Sequence, residues 1–555
     1  MPADGVAVIK RFIRLKGERS NFDTRWERMA PYLAPSRVGI TGARSPGQKQ
    51  TDGVYDSTTM LAAEMMAHFI AGHIINPGQR WQRFEMEDAE ANKIDEVKEW
   101  TEECSDRYLK KVGASSFYAE GPESLIDYAG FGTGFLLCEE APQPENRVIQ
   151  GFRGFYFHAE KTGRFLIQEG PDGLVDTAFR EYEMTAGNVG KQWPDDPLPE
   201  NIKSAIAKGE IDKNYKIIHA IYPRPRSEQG AGRYGMPWAS CWVEFDSKSI
   251  IHESGYRKFP AAAPRYHRTP GEVYGRGRGD IAFPDTWTLN TAKKMGLEDW
   301  ALKIRPPVLT RHDSVIGTLR LTPGGPTSIN THGAAIQDVI RPFETGSHPE
   351  ISNIKEEELR RSIREIFYTD TIRMLLETSK SEMTAYEFAR KIELLFRLLG
   401  TVYGRLEWEW LYRISDIGFD LMYNAGEFPP PPPEIMMTNG VINTVFQNPI
   451  AKAQRAGDAE SVLLASNDLA PLANLFPQVF DRFDPDKTSA GIFEIRGVPA
   501  RWSRSDKEIA TLRAERQKQT EKDLELERVK TAAEAAGKVA PAIQALTQPR
   551  QAPGL

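Results

Sequence analysis

Two glycine-rich segments are the first places in the sequence where chemistry could occur. Residues 275–280, GRGRGD, have the spacing of a loop whose backbone amides cradle a phosphate group. They follow Tyr274 rather than a clear strand of a βαβ unit, and Arg276 and Arg278 favour a flexible turn with a basic surface. Residues 130–134, GFGTG, lack the serine of a nucleophile elbow. Neither segment therefore predicts an enzyme site.

The histidines and acidic residues have spacings that do not match a metal site or a catalytic pair. His68 and His73 are five residues apart, whereas two zinc-binding histidines on one helix are four apart. The three glutamates at 356–358 form a charge run, which is typical of a solvated helix face. Three further histidines lie far apart in one segment, and this spacing is more typical of separate surface groups than of a metal site: His312, His332 and His348. The sequence contains no P-loop, and it predicts no catalytic residue, no metal and no cofactor.

Basic side chains in two segments of the chain are the candidates for contact with DNA or a partner. Arg373 and Lys380 precede a long predicted helix. Three arginines lie in a segment rich in Gly, Pro, Thr and His: Arg311, Arg320 and Arg341. For any single one of these residues, ordinary surface charge is the simpler interpretation. The formal net charge of −6 argues against a protein that coats nucleic acid, but it allows a weak or transient contact.

The size and composition of the chain describe a folded protein with several structural units. The chain has 555 residues, of which 40% are hydrophobic, enough for a sizeable core. Its three cysteines, Cys104, Cys138 and Cys241, are far apart and predict buried thiols in a reducing compartment. We find no signal peptide and no apolar run of membrane-spanning length, so we expect a soluble chain without membrane partners.

The order of helical and strand patterns predicts an α+β fold that is mainly α. Apolar residues at helical spacing predict helices over residues 6–33, 57–75 and 91–112, with a fourth helix starting near Gly121. Short aromatic and β-branched runs separated by turns follow up to Tyr256, and they are typical of antiparallel strands. The pattern from Asp280 onward is helical again.

Two predicted helices bracket a compact insert. The first begins at Asp280 and ends before Pro306, and the second carries Asn353 and Glu356 at the spacing of an N-terminal capping pair. Between them, only short strands and turns fit the composition. This arrangement predicts a helical hairpin with a small domain at its tip.

The longest predicted helix begins at a capping box and ends at a run of prolines. Thr384 and Glu387 have the Thr-x-x-Glu spacing of the capping box. Gly426 is a C-terminal signal, and the prolines at 429–433 prevent continuation. If the helix is unbroken from 384 to 426, it is about 60 Å long, which is more than a small domain needs. Large apolar residues form one stripe along it, including Leu406, Trp410, Ile414, Ile417 and Leu421.

Several segments together resemble the head-to-tail connectors, or portal proteins, of podovirus-type bacteriophages. They include SEMTAYEFARK, the step RLLG, the helix end at AGEFPPPPPE and the downstream NPIAKAQRA. Upstream, RWERMAPYLAPSR and YGRGRGDIAFPDTWTLN resemble the same family. The likeness covers nearly the whole chain and keeps the order of the parts. No single motif is chemically diagnostic, so the resemblance rests on the collinear set.

The resemblance implies a portal-type subunit that forms a ring, usually of twelve copies. The N-terminal wing would be 1–279, and the long helix with its proline-rich stop, 384–437, would complete it. The stem helices would be 280–306 and 351–376, with a small α/β clip at 307–350 between them. The channel loop, 377–383, would present Thr378, Ser379, Lys380 and Ser381 to DNA. A helical crown would occupy 438–510, and a C-terminal helical barrel or tail would occupy 511–555.

The same resemblance implies a structural component of the virion that has no catalytic activity. The ring would sit at one capsid vertex, after assembly in the bacterial cytoplasm, and double-stranded DNA would be packaged and ejected through it. Its partners would be copies of itself, the terminase motor, tail adaptor and head-completion proteins, and the major capsid and scaffolding proteins. An alternative is another virion structural protein, from the tail or the internal core, without a channel. A nucleic-acid-processing enzyme is disfavoured by the missing P-loop and metal-ligand spacing.

Overall fold

The computed structural model separates into two compact units. One comprises Met1–Phe84, Glu103–Pro430 and Asn443–Ser461, and the other comprises Glu85–Glu102, Pro431–Ile442 and Val462–Leu555. The residues that the structure describes are 4–40, 47–88, 90–142, 151–230, 232–304, 308–310, 315–316, 328–330, 333, 335, 340–342, 349–378, 400–437, 441–446, 461–469, 471, 484–496, 504 and 506–546.

Four helices open the chain, as the sequence predicts. The first is capped by Asp4, whose Oδ1 accepts a hydrogen bond from the Val6 N–H at 3.0 Å. The second ends just before the segment Asn76-Pro77-Gly78, whose residue types stop a helix. The helices are α1 (Gly5–Leu33), α2 (Thr58–Ile74), α3 (Asp95–Gly113) and α4 (Phe117–Phe131). Short 3₁₀ helices occupy Pro35–Arg37, Ala91–Lys93, Arg226–Glu228 and Arg233–Gly235.

The predicted antiparallel strands form two sheets in the first unit. A three-stranded sheet has the order β3-β2-β9, and a five-stranded sheet has the order β4-β5-β6-β7-β8. Their strands are β2 (Leu136–Glu140), β3 (Phe155–Ala159), β4 (Phe165–Glu169), β5 (Val175–Thr185), β6 (Asn214–Pro223), β7 (Trp238–Glu244), β8 (Ile250–Tyr256) and β9 (Ala261–Ala262). Strand β1 (Gln82–Met86) lies outside these two sheets.

The five-stranded sheet is covered on both faces. Phe12 of α1 packs on one face with Ile218 of β6. The neighbouring Ile217 points to the other face, because side chains alternate along a strand, and it packs with Trp193 and Ile202. Two short helices supply this second cover, α5 (Ala186–Gln192) and α6 (Glu200–Ala207).

The predicted hairpin and insert begin with a helix that follows the sheets. The elements in chain order are α7 (Arg278–Ile304), β10 (Val308–Thr310), β11 (Val315–Ile316), β12 (Ser328–Ile329), β13 (Ile340–Pro342), α8 (Pro349–Ile366) and α9 (Thr369–Thr378). Strand β10 pairs antiparallel with β13, and β11 pairs antiparallel with β12.

Two predictions for the second hairpin helix are wrong. The helix begins at Pro349, so Asn353 and Glu356 lie within it and are not its capping pair; proline is favoured in the first turn because its missing N–H is not needed there. The predicted single helix over 351–376 is divided, with Tyr368 between α8 and α9 at a φ of 56°. A left-handed conformation costs a non-glycine residue about 1–2 kcal/mol, so tertiary contacts must hold it there.

The long helix is described from Gly400 onward; its predicted start, with Thr384 and Glu387, lies outside the described residues. It comprises α10 (Gly400–Leu406), one π-helical turn (Glu407–Tyr412) and α11 (Arg413–Asn424). The helix ends as predicted at Gly426, which has a φ of 72°. The N–H groups of Gly426 and Glu427 donate to the carbonyls of Tyr423 and Met422, which is a Schellman motif.

The remaining elements include short segments and one long C-terminal helix. They are α12 (Pro433–Met437), β14 (Ile442–Phe446), a helical segment at 461–469, α13 (Pro485–Arg496) and α14 (Asp506–Leu546). Helix α14 has 41 residues and is about 60 Å long. Arg513 on α14 pairs with Asp486 on α13 at 2.5 Å. The side chains of α14 that the structure describes are almost all exposed.

Candidate functional site

Helices α7 and α8 form an antiparallel hairpin that is held by polar contacts between its two members. Lys293 Nζ lies 3.2 Å from Glu356 Oε2, and Ser362 Oγ donates to Asp285 Oδ2 at 2.6 Å. The residue numbers fall along α8 as they rise along α7, which fixes the antiparallel direction. Glu356 is buried, so the prediction of a solvated glutamate run is wrong at this position. A buried carboxylate needs cationic partners, and Lys293 and Arg360 supply them.

The base of the hairpin is fixed to α2 and to the loop before it. Thr286 shares a hydrogen bond of 2.7 Å with Thr59, and the Asn290 side chain bonds the backbone of Tyr55 at 2.7 Å. Arg360 donates to Asp56 at 3.0 Å. Burial alone would raise the pKa of Asp56, but hydrogen bonds from Thr58 and Arg360 outweigh it, so the pKa is lowered. These contacts orient the hairpin relative to the rest of its unit.

Helix α7 carries several large apolar side chains that are half-exposed or more, of which Trp287 also contacts the Tyr32 ring of α1 at a centroid distance of 6.2 Å. Its buried positions, including Ala282 and Leu289, face its own unit. On the other side, four large apolar side chains fall within an arc of about 120°, at 100° per residue. They are 42–62% exposed and are Ile281, Trp287, Met295 and Leu302. We call these four residues the α7 stripe. Toward the C-terminal end of α7, Leu297, Trp300 and Ile304 are also 44–64% exposed, and they lie on the side that carries the buried positions nearer the start of the helix. Large exposed apolar surface marks protein interaction sites in soluble proteins.

The hairpin exposes further apolar groups on its other members. Ile354 of α8 is 62% exposed, and it lies away from Glu356 and Ile363, the α8 residues that are buried. Met374 of α9 is 62% exposed as well. The hairpin therefore has two differently composed outer faces, one on α7 and one on α8 and α9. The sequence contained the signal for this site, because the α7 stripe recurs at helical spacing, but helical pattern alone does not separate it from core.

The structure places three of the predicted channel and DNA-contact residues within elements. Arg373 is exposed on α9, Thr378 is the last residue of α9, and Arg341 lies in β13. The other predicted residues lie outside the described residues: Ser379, Lys380, Ser381, Arg311 and Arg320. The contacts that these residues make with DNA or a partner therefore remain predictions.

The two glycine-rich segments considered for chemistry pack against each other. Gly132 has a φ of 93°, and a Cβ there or at Gly275 would collide with backbone atoms of the other segment. The prediction that residues 275–280 are a basic surface turn is wrong for Arg278, which is partly buried between Tyr266 and Tyr368. The glycines allow the two backbones to approach closely, because a side chain would not fit between them. Through this packing, the end of α4 lies against the start of α7.

Among the residues that the structure describes, the histidines and acidic residues weighed in the sequence analysis do not form a metal site. His73 is half-buried on α2, where its ring lies tilted against the Phe69 ring at a centroid distance of 4.1 Å; burial lowers its pKa. Within the described ranges, no three His, Cys, Asp or Glu side chains are grouped to hold a metal ion. Also within them, no helix is long and apolar enough to span a membrane.

A salt-bridge cluster that sequence reasoning missed fixes the π-helical turn. Glu409 accepts hydrogen bonds from Arg265 at its backbone N (2.9 Å), Nε (3.2 Å) and Nη2 (2.6 Å). Arg265 also pairs with Glu169 and is fully buried. Burial would lower the pKa of Arg265, but the two carboxylates outweigh it and raise the pKa. The sequence contains only a weak signal for this cluster: Glu409 is a charged residue between Trp408 and Trp410, and nothing near it in the sequence points to Arg265.

Comparison with known proteins decides the family. The model of the family described as "Bacteriophage head to tail connecting protein" matches residues 6–503. The chain belongs to this bacteriophage head-to-tail connector family. The connector is 26% identical over 518 residues to a "Probable portal protein" of Bordetella phage BPP-1, covering 92% of this chain and 90% of the relative. It is 23% identical over 522 residues to a "Portal protein" of Salmonella phage epsilon15, covering 93% and 91%.

Membership confirms the resemblance and gives the connector its general role. It functions as a phage portal protein, which is a virion component of the capsid. The family is structural rather than enzymatic, and its fold is mixed α and β with mostly helical content, as found here.

Proposed function

We propose that copies of this chain close into a ring at one capsid vertex and that double-stranded DNA is packaged and later ejected through its centre. The observation that carries the proposal is the α7 stripe, a row of exposed apolar side chains on a helical hairpin that hydrogen bonds fix to the rest of its unit. In a closed ring each subunit uses two different surfaces, one toward each neighbour. The two outer faces of the hairpin meet this requirement: the α7 stripe of one copy would pack on the α8 and α9 face of the next.

The domain roles follow the family order in this proposal. The wing is 1–279 with 384–437, the stem helices are 280–306 and 351–376, the clip is 307–350, the channel loop is 377–383, the crown is 438–510 and the C-terminal barrel or tail is 511–555. The clip binds the terminase motor during packaging, and tail adaptor and head-completion proteins afterwards. The ring's other partners are the major capsid and scaffolding proteins. The ring assembles in the bacterial cytoplasm before it becomes part of the virion.

The composition of the chain suits a channel that DNA must slide through. Each phosphate that a cationic side chain binds adds affinity, and strong affinity would resist movement. A mildly acidic chain, with a net charge of −6 over 555 residues, suits such a sliding surface. Symmetry multiplies any single contact, so one lysine per subunit becomes a collar of charge around the axis.

Ring formation is tested by placing charge on the α7 stripe. We expect the double variant Met295→Asp, Leu302→Asp to remain folded but to weaken subunit association at least about 100-fold, because each carboxylate would be buried without a partner. Native mass measurement and electron microscopy of the purified chain would then show rings for the unaltered protein and free subunits for the variant. The matched control is Ile211→Asp, which adds a charge at an exposed isoleucine away from the hairpin and leaves the rings intact.

Two outcomes of this experiment would contradict the proposal. Rings that form equally well from the double variant would show that the α7 stripe is not the interface. An unaltered chain that stays monomeric at high concentration would instead favour the alternative of a tail or internal core protein without a channel.

Lys380 tests the channel loop separately. We expect Lys380→Glu to leave ring assembly intact and to reduce the DNA packaged by the terminase motor several-fold, because a collar of carboxylates repels the phosphate backbone. The measurement is the amount of nuclease-protected DNA per particle. Lys208→Glu, an equal charge change at an exposed residue of the sheet region, serves as the control. A Lys380→Glu subunit that misfolds and fails to assemble would show a structural role instead.

A further inference from the structure

The break between α8 and α9 occurs in a segment without a helix-breaking residue. Residues 363–374 contain neither glycine nor proline, although Thr369, Asp370 and Thr371 are weak helix formers. Tyr368 nevertheless has a φ of 56°; among the described residues, Lys248 is the only other non-glycine with positive φ. Strain of this type persists only where surrounding structure imposes it, and it is concentrated at switch regions and functional sites.

Arg278, at the start of α7, makes the contact that holds Tyr368. Its Nη2 donates a hydrogen bond to the Tyr368 hydroxyl, and its guanidinium lies 4.7 Å from the centre of the Tyr368 ring. On its other side, Nε donates to the Tyr266 hydroxyl at 2.7 Å, with the guanidinium 5.6 Å from that ring. The planar guanidinium is thus fixed between two tyrosines, a geometry that lysine cannot reproduce.

The inner side of this contact is anchored in the core of the unit. Tyr266 is buried and packs against Tyr128 at a ring distance of 5.2 Å. It directly follows Arg265, the residue that is bound to Glu409 of the π-helical turn. Tyr128 in turn donates to the carbonyl of Val402 in α10 at 3.1 Å. Arg278 therefore holds Tyr368 against a rigid support.

Two arrangements of the α8–α9 segment compete. In the bent form, Phe367 and Ile372 are both buried, and α9 packs against α2. The N–H groups of Asp370 and Thr371 lie in the first turn of α9, where no acceptor exists within that helix. In a straight form, these N–H groups would donate to the carbonyls of Ile366 and Phe367, and Tyr368 would leave the left-handed region.

We propose that the α8–α9 segment has two conformations, bent and straight, and that Arg278 acts as a latch that holds it in the bent one. With the Arg278–Tyr368 contact made, the chain bends at Tyr368; without it, α8 and α9 join into one continuous helix. The change would move Arg373 and Met374, both exposed on α9, relative to the α7–α8 hairpin. The inference goes beyond ring formation and applies to each subunit by itself.

Hydrogen exchange of the full-length protein tests the latch. In the unaltered protein, we expect the amides of Asp370 and Thr371 to exchange rapidly. In Arg278→Met, we expect both to exchange at least tenfold more slowly, because they gain carbonyl acceptors, while α8 keeps its protection. Tyr368→Phe keeps the ring and removes one hydrogen bond, and we expect it to slow both amides about threefold. It also supplies the test if Arg278→Met does not fold.

Two further variants isolate the cause. Combining Arg278→Met with Tyr368→Gly is expected to restore rapid exchange, because glycine adopts positive φ without cost and the bend persists without the latch. Arg361→Met removes an exposed arginine that pairs with Glu365 on α8, and it leaves exchange at 370 and 371 unchanged.

The proposal is overturned if these amides stay fast in both Arg278→Met and Tyr368→Phe. It is also overturned if the amides of α8 and α9 all become faster, since this would mean melting rather than straightening. Neither outcome bears on ring assembly, which the α7 stripe variant tests independently.

Discussion

Glu409→Ala is expected to lower the free energy of unfolding by about 3–5 kcal/mol, since breaking a buried ion pair by removing one partner leaves an uncompensated charge. Arg265 would keep Glu169 but lose three hydrogen bonds from its backbone and guanidinium. It is fully buried, so water cannot replace them. The effect should be large because Glu409 connects the π-helical turn to the loop that leads into α7.

The midpoint of urea unfolding, followed by circular dichroism, measures this effect. The control is Glu103→Ala, which removes an exposed partner of Arg107 on α3 and should change the free energy by no more than about 1 kcal/mol. Equal, small changes in both variants would show that Arg265 is hydrated or rearranges. Because a buried ion pair can be replaced by apolar groups at little cost, the double variant Arg265→Met, Glu409→Met should recover part of the loss.

The parts of the fold that the sequence predicted well depend on local signals. The opening helices and the helix end at Gly426 follow from apolar periodicity, capping and a glycine that adopts positive φ. The antiparallel strands follow from alternating runs separated by turns. In each case, residues close together in the sequence decide the structure.

The features that the sequence did not predict depend on residues far apart in the chain. At the break, Tyr368 is bound by Arg278, 90 residues away, and the segment contains no glycine or proline that would have predicted a break. The burial of Glu356 comes from Lys293, and that of Glu409 comes from Arg265. A single sequence contains no record of such pairs. The family was recognised from the order of many weak motifs, whereas most of the predicted channel residues lie outside the described part of the chain.

The glycine-rich segments show how a pattern typical of phosphate loops can serve packing alone. The carbonyl of Gly132 accepts a hydrogen bond from the Tyr266 N–H at 2.8 Å, and Gly275 N–H donates to Thr133 Oγ1 at 2.8 Å. The two backbones are therefore locked at a distance that leaves no room for a side chain. Since Tyr266 also supports Arg278, this packing positions the first turn of α7.

Gly275→Ala is accordingly expected to lower the free energy of unfolding by about 3 kcal/mol or more. Its Cβ would collide with the Gly132 carbonyl oxygen, a backbone atom that cannot rotate away as a flexible side chain would. Gly17→Ala is the matched control with the opposite sign: this glycine is exposed within α1 with open space around it, so alanine should stabilise the protein by about 0.5–1 kcal/mol. Urea unfolding of both variants decides the point. If Gly275→Ala were as stable as the unaltered protein, the backbone of residues 275–280 would have to move easily to accept the Cβ. A segment that moves so easily could not position α7.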